Sequence, residues 1–528
     1  MADTLDLVGE LFSYLTLRSV LIFVTVFLGT YISTHGRREK RRNLPPGPWG
    51  LPVLGCLPFL GSKAHVVLTN WSKKYGDVFL VNFGMVPVVV LNGFDTIRDA
   101  LVKQGAEFAG RPDLFTFRTP PHIPLTYKGI LIETYSQQLI ERRRFSLRVL
   151  RDLGVGKVNL ESTIINAELK ELHEALALTN GTPTDVFPML RDAIANVTFG
   201  ITFGSRFQHN DPEFRGILDT VNQNFELNQK LALNNFVPFL QNFPSPSLRQ
   251  YQRNQEYLVG LLLKWNAEQK QKYNPKETKS FVDAYRHEVV KHEARSEETA
   301  GGGVKMVGPP TNPETIFTEN QITSVTIDLF FAGGETVTTT LRWGLLYMAL
   351  YPDVQRKVQQ EIRSVLGEDE QPSITHKTSL PYTEATIMEI QRLNYIVPLG
   401  VPHCTTSDVS FHGYSIPRDT MVIVNMWSVM MDPSRWPEPE IFDPRRHIDQ
   451  NGRIVKKDDF IPFSMGKRTC LGEQLGKMEL FLFFTSLMQR FSFHLPENTP
   501  PPKLEGKLGS TYVPPDYELC VTLLPSTG

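Results

Sequence analysis

Four cysteines in 528 residues (Cys56, Cys404, Cys470, Cys520) are too few and too scattered for a disulfide framework, and no C-x-x-C pair or zinc spacing exists among them. A reducing compartment follows from that usage. Net charge is nearly absent too: a formal value of −1 leaves no basic footprint for nucleic acid. Gly466-Lys467 lacks the upstream glycine and the following Ser/Thr of a P-loop, and neither G-x-S-x-G nor H-E-x-x-H occurs. Nucleotide hydrolysis, serine hydrolysis and zinc proteolysis are thereby excluded. No flavin or nicotinamide fingerprint is found, so any redox chemistry must draw electrons from a partner. Internal repeats are also missing. What remains is a chain 41% apolar with 38 prolines, a globular composition without an obvious place to cut it.

The N-terminus stands apart. Ser19 to Ile32 is almost entirely apolar, and Leu11 to Leu17 extends the run toward the length of a membrane span, with Arg18 interrupting it. Arg37, Arg38, Lys40, Arg41 and Arg42 follow, whereas Asp3, Asp6 and Glu10 precede. A cleaved signal peptide carries its basic residues ahead of the apolar run, so this order favours an uncleaved anchor with the bulk of the chain in the cytosol. The expected organisation is an anchor over 1–35, a basic and proline-rich hinge over 36–52, and one domain over 53–528. Cytosolic placement leaves the N-glycosylation patterns at Asn70, Asn180 and Asn196 unmodified.

The remainder reads as mainly α with small β-sheets. Strand-like runs occur at Val78 to Phe83, at Val88 to Leu91 and between Tyr395 and Val424, where His412-Gly413 predicts a hairpin turn. Ser296 to Asn312, rich in glycine and proline, reads as an exposed loop between helices. A capping box at Thr318 and Gln321 then opens a helix whose stretch Ile322 to Met348 is apolar nearly all round, hence buried. Asp328, Ala332, Glu335 and Thr336 fall on roughly one face of it. Such a strip of small and polar residues either forms a groove or seats a neighbouring helix. Glu389 and Arg392 are three apart on a further helix, and Arg144, Arg148 and Arg151 align along another.

Phe463-Ser464-Met465-Gly466-Lys467-Arg468-Thr469-Cys470-Leu471-Gly472 sets one cysteine between two glycines, after an arginine and before an apolar helix expected from Leu471 to Arg490. Cysteine ligates metal as a thiolate, which backbone N–H groups and a helix N-terminus stabilise. Gly466 suits a turn with positive φ, and Gly472 lets backbone approach a flat macrocycle. Arg468 can neutralise a haem propionate. A structural cysteine in an ordinary turn is the alternative for a lone thiol.

This segment resembles the haem-binding loop of the cytochrome P-450 monooxygenases, and the likeness extends over the chain after the anchor, closest to the animal microsomal family-2 type on Val397-Pro398-Leu399-Gly400-Val401-Pro402-His403 and Phe145-Ser146-Leu147. The resemblance implies the helical cytochrome P-450 fold behind a transmembrane anchor, haem b on Cys470, and electrons from NADPH delivered by a reductase, with cytochrome b5 as a further partner. The thiolate would donate electron density that helps cleave the O–O bond. By the same resemblance Ala332-Gly333-Gly334-Glu335-Thr336 is the oxygen-binding motif, with Thr336 and Glu335 delivering protons. Phe463, Gly466, Gly472, Arg468, His403 and Arg143 would surround the haem, although Leu139 stands where the family has a propionate-binding tryptophan. Glu389, Arg392 and Arg446 would form a structural triad, with Arg445 and His447 departing from the usual acidic and aromatic neighbours. The arginine stripe would dock the reductase. Phe330, Phe331, Ala332, Val397, Leu399 and Tyr512 would contact a lipophilic substrate: fatty acids first, xenobiotics or steroids next. The implied location is the endoplasmic reticulum membrane. A haem-thiolate isomerase would typically lack the Glu335-Thr336 pair, and a haem sensor would need no oxygen-activating groove.

Overall fold

The computed structural model describes Thr25 and residues 43–118, 129–209, 211–243, 245–300 and 316–525, with side chains of the helix 281–300 described to residue 294. The expected anchor lies outside the described residues apart from Thr25, and no helix among the described residues is long and apolar enough to cross a membrane. Of the hinge, 43–52 are described, and they are tied to the globule: Leu80 N–H donates to the Pro46 carbonyl at 2.8 Å and Ser415 N–H to that of Asn43 at 3.0 Å.

Helix α1 (Ala64–Tyr75) leads into strands β1 (Val78–Phe83) and β2 (Val86–Leu91). Both strands are rich in β-branched and aromatic residues and are covered on both faces, which is why they read as continuous apolar runs. Then come helices α2 (Gln137–Asp152), α3 (Asn166–Ala177), α4 (Phe187–Phe203), α5 (Pro212–Lys230), α6 (Pro246–Lys272) and α7 (Phe281–Ala300). Because α7 runs to Ala300, the start of the expected loop at Ser296 is corrected to helix; 301–312 lie outside the described residues.

Helix α8 (Glu319–Leu350) is the axis of the molecule, opened by Thr318 and Gln321 in the reciprocal capping arrangement. Its burial comes from contact on several sides. Gly333 lies so close to α4 that a Cβ would meet Thr198 Oγ1 at 2.7 Å, and Asn266 of α6 donates to Thr323 Oγ1 at 2.9 Å. Helices α9 (Pro352–Leu366) and α10 (Pro381–Leu393) follow, then β3 (His403–Cys404), β4 (Val409–Phe411), β5 (Tyr414–Ile416) and β6 (Met421–Val424). The main sheet runs β1-β2-β6-β3, with β2 and β6 parallel and the other pairs antiparallel. His412 (φ 47°) and Gly413 (φ 84°) turn the β4–β5 hairpin as the sequence predicts. The last long helix, α11 (Glu473–Arg490), is followed by β7 (Phe491–His494), β8 (Lys507–Leu508), β9 (Tyr512–Val513) and β10 (Cys520–Leu523). Asn196 is fully buried and exchanges hydrogen bonds with the Phe207 backbone, out of reach of a glycan.

Candidate functional site

The loop from Phe463 to Gly472 is held by its own backbone. Cys470 N–H donates to the Phe463 carbonyl at 3.0 Å, and Gly466 sits at φ +78°, where a Cβ would strike the Leu101 carbonyl oxygen at 1.9 Å. Only glycine satisfies both demands. Helix α11 starts at Glu473 with Gly472 as its N-cap, two residues later than the sequence suggests. Cys470 therefore lies in the turn that enters the helix. Cys470 is accessible, yet protein closely surrounds it, as for a side chain that lines an internal cavity. Burial pushes its thiol up, opposed by the Gly472 N–H and by Arg143. A metal cation held by this sulfur would favour the thiolate. A Cβ on Gly472 would meet only Cys470 Sγ, at 3.9 Å, so this flank of the sulfur is open. The Phe463 ring lies against Gly476 on the first turns of α11.

Three arginines and a histidine meet at this loop, Arg468 from the loop itself and Arg143, His403 and Arg111 from distant parts of the chain. Arg468 donates to the carbonyls of Ala109 (2.7 Å), Ile130 (3.2 Å) and Glu133, while Arg143 on α2 donates to Thr469 at 2.6 Å. His403 on β3 has Nδ1 2.7 Å from the Phe108 carbonyl. Arg111, which sequence reasoning missed, donates to Leu131 (2.9 Å), Val401 (3.2 Å) and Pro402 (2.9 Å). Its signal was local: an arginine in Gly110-Arg111-Pro112, between two residues that keep the chain out of a helix. Among the described residues, the hydrogen-bond partners of these four side chains are backbone carbonyls. Glu133, the nearby carboxylate, is bonded to Arg142. Burial, then the neighbouring Arg468 and Arg143, lowers the Arg111 pKa well below its usual value; burial and Arg143 bring Arg468 to about 10, and burial and Arg111 drive His403 far down. Buried charge of one sign without a counter-ion is costly, so the cluster is built for anions. A flat macrocycle with two carboxylates and a thiolate-ligated metal fits it. Leu139 is fully buried in the main core and offers no donor, and Arg111 supplies an additional cation in this region.

On α8, Ala332 is exposed in the middle of an otherwise buried helix, and Gly334 would admit a Cβ without contact. The groove reading, as opposed to a seat for a neighbouring helix, rests on the exposure of Ala332, since Gly334 is about 200° farther around α8 and lies on the other side. Thr336 Oγ1 donates to the Ala332 carbonyl at 2.8 Å. Glu335 turns elsewhere, accepting from Thr339 (2.9 Å) and from Thr511 (3.1 Å), and burial raises its pKa. The two side chains are thus neighbours in sequence without touching. Asp328 accepts the N–H groups of Ile130 and Leu131 and fastens 129–131 to the helix.

Two expected substrate contacts are corrected. Phe330 is 8% exposed and packs edge-to-face on Phe199, being about 200° around α8 from Ala332. Tyr512 is 6% exposed, stacked on Trp343 with Trp427 and His65 at its edges. Both belong to the core. Phe331, Val397 and Leu399 are part-exposed, and Ala332 is open.

Glu389 on α10 gathers the second cluster. It accepts from Arg392 Nε (2.8 Å) and Nη2 (2.9 Å), from Arg446 Nε (2.8 Å) and from Asp443 N–H (3.1 Å). His447 Nε2 lies 2.9 Å from the same carboxylate, a partner the sequence did not reveal. Glu389, Arg392 and His447 are all fully buried.

Comparison with known proteins agrees with this geometry. The family model described as Cytochrome P450 matches residues 45–521. The chain is 37% identical to cytochrome P450 2J2 of Homo sapiens over 519 residues, covering 98% of both chains. It is 37% identical to cytochrome P450 2U1 of Mus musculus over 511 residues, 92% of each, and to cytochrome P450 2J1 of Oryctolagus cuniculus over 507 residues, 95% of each.

Proposed function

The chain belongs to the cytochrome P450 family of haem-thiolate monooxygenases, and from that premise we propose that it inserts one oxygen atom into lipophilic substrates, long-chain fatty acids first, with Cys470 as the iron ligand. Haem b, fed with NADPH electrons through a reductase, supplies the activation of dioxygen when bound. The observation that carries the site assignment is the pairing of an enclosed yet accessible thiol with buried arginines that have no carboxylate partner among the described residues.

In this reading Arg111, Arg143, Arg468 and His403 would hold the two propionates through charge-assisted hydrogen bonds. Thr336 hands a proton from its hydroxyl into the groove. Glu335 accepts from Thr339 and Thr511, and burial shifts its pKa upward, so it holds a proton more readily than an exposed carboxylate and is suited to relay one. A rotation of either side chain, or a water, must join the two. Ala332, Phe331, Val397 and Leu399 offer apolar surface to the substrate and exclude water from the reaction.

Exposed apolar side chains support a membrane location. Trp49, Phe59, Met85, Phe239 and Phe243 are each about half exposed or more, and the segments carrying them meet at one end of the molecule, where Met85 N–H donates to Phe236 and Cys56 N–H to Asn82. Aromatic and aliphatic groups clustered in that way suit the interface of a bilayer. The endoplasmic reticulum, reached through a 1–35 anchor and a hinge, is the location proposed. Arg144, Arg148 and Arg151 are exposed along α2, on the helix whose Arg143 reaches Thr469, and they form the docking stripe proposed for the reductase, with cytochrome b5 as a second acidic partner.

The test is reconstitution with reductase, lipid and NADPH across a panel of fatty acids, drugs and steroids. Product carrying one atom of labelled dioxygen, with NADPH consumed in proportion, is the expected result. Turnover without reductase would point to an isomerase instead.

A further inference from the structure

We propose that His447 is a positioning residue of the cysteine loop: it donates through Nε2–H to Glu389 and passes that constraint through its ring to Phe460, on the segment that enters the loop. This rests on the haem-thiolate reading of Cys470 and adds to it a residue specific to this chain.

His447 sits in a short helical turn, Pro444–His447, and is fully buried. Its Nε2 is 2.9 Å from Glu389 Oε2, a carboxylate oxygen that among the described residues otherwise accepts only from Arg392 Nε, whereas Oε1 already takes Arg392 Nη2, Arg446 Nε and Asp443 N–H. The proton must be on Nε2, since the acceptor is a carboxylate. Nδ1 is buried without a hydrogen-bond partner among the described residues. The ring is flanked by Phe460 at 5.3 Å and Trp436 at 5.6 Å between centroids. Phe460 precedes Ile461, whose carbonyl accepts from the Tyr395 hydroxyl and from Ser464 N–H, and the next carbonyl but one, on Phe463, receives the Cys470 N–H. One side chain thus touches both the Glu389 cluster and the approach to the thiol.

The charged groups facing His447 are Glu389 and Arg392 from α10, Arg446 from its own turn, and Lys457 from the segment beyond, whose Nζ lies 4.3 Å from the Trp436 ring centroid. Asp443 is occupied by Arg445. Three cations against one carboxylate, with no acceptor at Nδ1, admit the neutral Nε2–H tautomer and exclude the imidazolium. An aromatic residue at 447 fills the space without the bond; a glutamine makes the bond without the ring. Acid therefore acts on this chain at a point where a phenylalanine would be indifferent.

The experiment uses the full-length holoprotein with His447→Phe and His447→Gln, following the decay of the red-shifted Soret band of the ferrous carbon monoxide complex from about pH 8 to about pH 5.5. Wild type should lose the band faster as pH falls through the histidine range. His447→Phe should decay about tenfold faster than wild type at the alkaline end, the scale of one lost charge-assisted hydrogen bond, and show a flatter pH profile. His447→Gln should recover most of the alkaline stability and keep the flatter profile of His447→Phe. Parallel profiles for wild type and His447→Phe, or equal rates at every pH, overturn the proposal. Absence of the band from the wild type itself overturns the haem-thiolate reading instead.

Discussion

Two buried clusters flank the cysteine loop, and their charge balance is opposite. Around Glu389, two guanidinium groups and an imidazole share one carboxylate, so positive and negative charge meet inside the protein. Around Arg468, the side chains of Arg111, Arg143 and His403 rest on carbonyl oxygens. The first cluster is complete as it stands and serves the fold. The second is complete only with an external dianion and serves the cofactor. Burial alone does not separate them; the partner atoms do.

Removing the central carboxylate should have the largest effect. Glu389→Ala strands Arg392 and Arg446, and leaving a buried ion pair half-made costs about 3–5 kcal/mol. Urea unfolding of the purified protein checks this, and a loss under about 1 kcal/mol would place Glu389 among exposed pairs. The second cluster should behave inversely. Arg468→Met or Arg111→Met should leave the haem-free protein as stable as before, or more so, because like charges are relieved, while haem transfer to an apo-globin acceptor accelerates by roughly 10- to 100-fold for about 1.5–3 kcal/mol lost. Equal destabilisation of both forms would erase the contrast between the clusters.

A smaller effect is expected on α8. Thr336→Ala should keep haem bound and divert electrons from product to peroxide, measured as peroxide formed per NADPH. Unchanged coupling would reduce Thr336 to its hydrogen bond with Ala332. The smallest concerns acid. Burial pushes His65 and His173 to about 4, below the unfolded value near 6.5, so the unfolded chain binds more protons in that window. Their contribution to stability is full above about 6.5 and declines as pH falls toward about 4, which urea midpoints measured at a series of pH values will show.

Legibility followed locality. The cysteine loop, the Thr318 capping box, the His412-Gly413 hairpin and the i,i+3 pair of Glu389 and Arg392 are each encoded within a few residues, so the chain declares them. His447 owes its role to segments far away in sequence with no local sign of it, and Arg111 had only its Gly110-Arg111-Pro112 setting to mark it. Phe330 and Tyr512 were misplaced because apolar composition marks a pocket wall and a core equally well. Leu139 is similar: in sequence it is a missing donor, whereas in the structure it is fully buried and Arg111 adds a cation in the same region. Leu139→Trp therefore confronts overpacking as well as a regained donor. Glu335 was named from the sequence, whereas its partner Thr511, which reaches it from a distant loop, was not.

The most direct measurement compares the ferrous carbon monoxide spectrum of the wild type with that of Cys470→Ala. The red-shifted Soret band should be present in the wild type and absent from the variant, together with all NADPH-dependent oxygenation. A variant that retained both would show that the iron is held by some other residue and that the loop from Phe463 to Gly472 is not the metal centre.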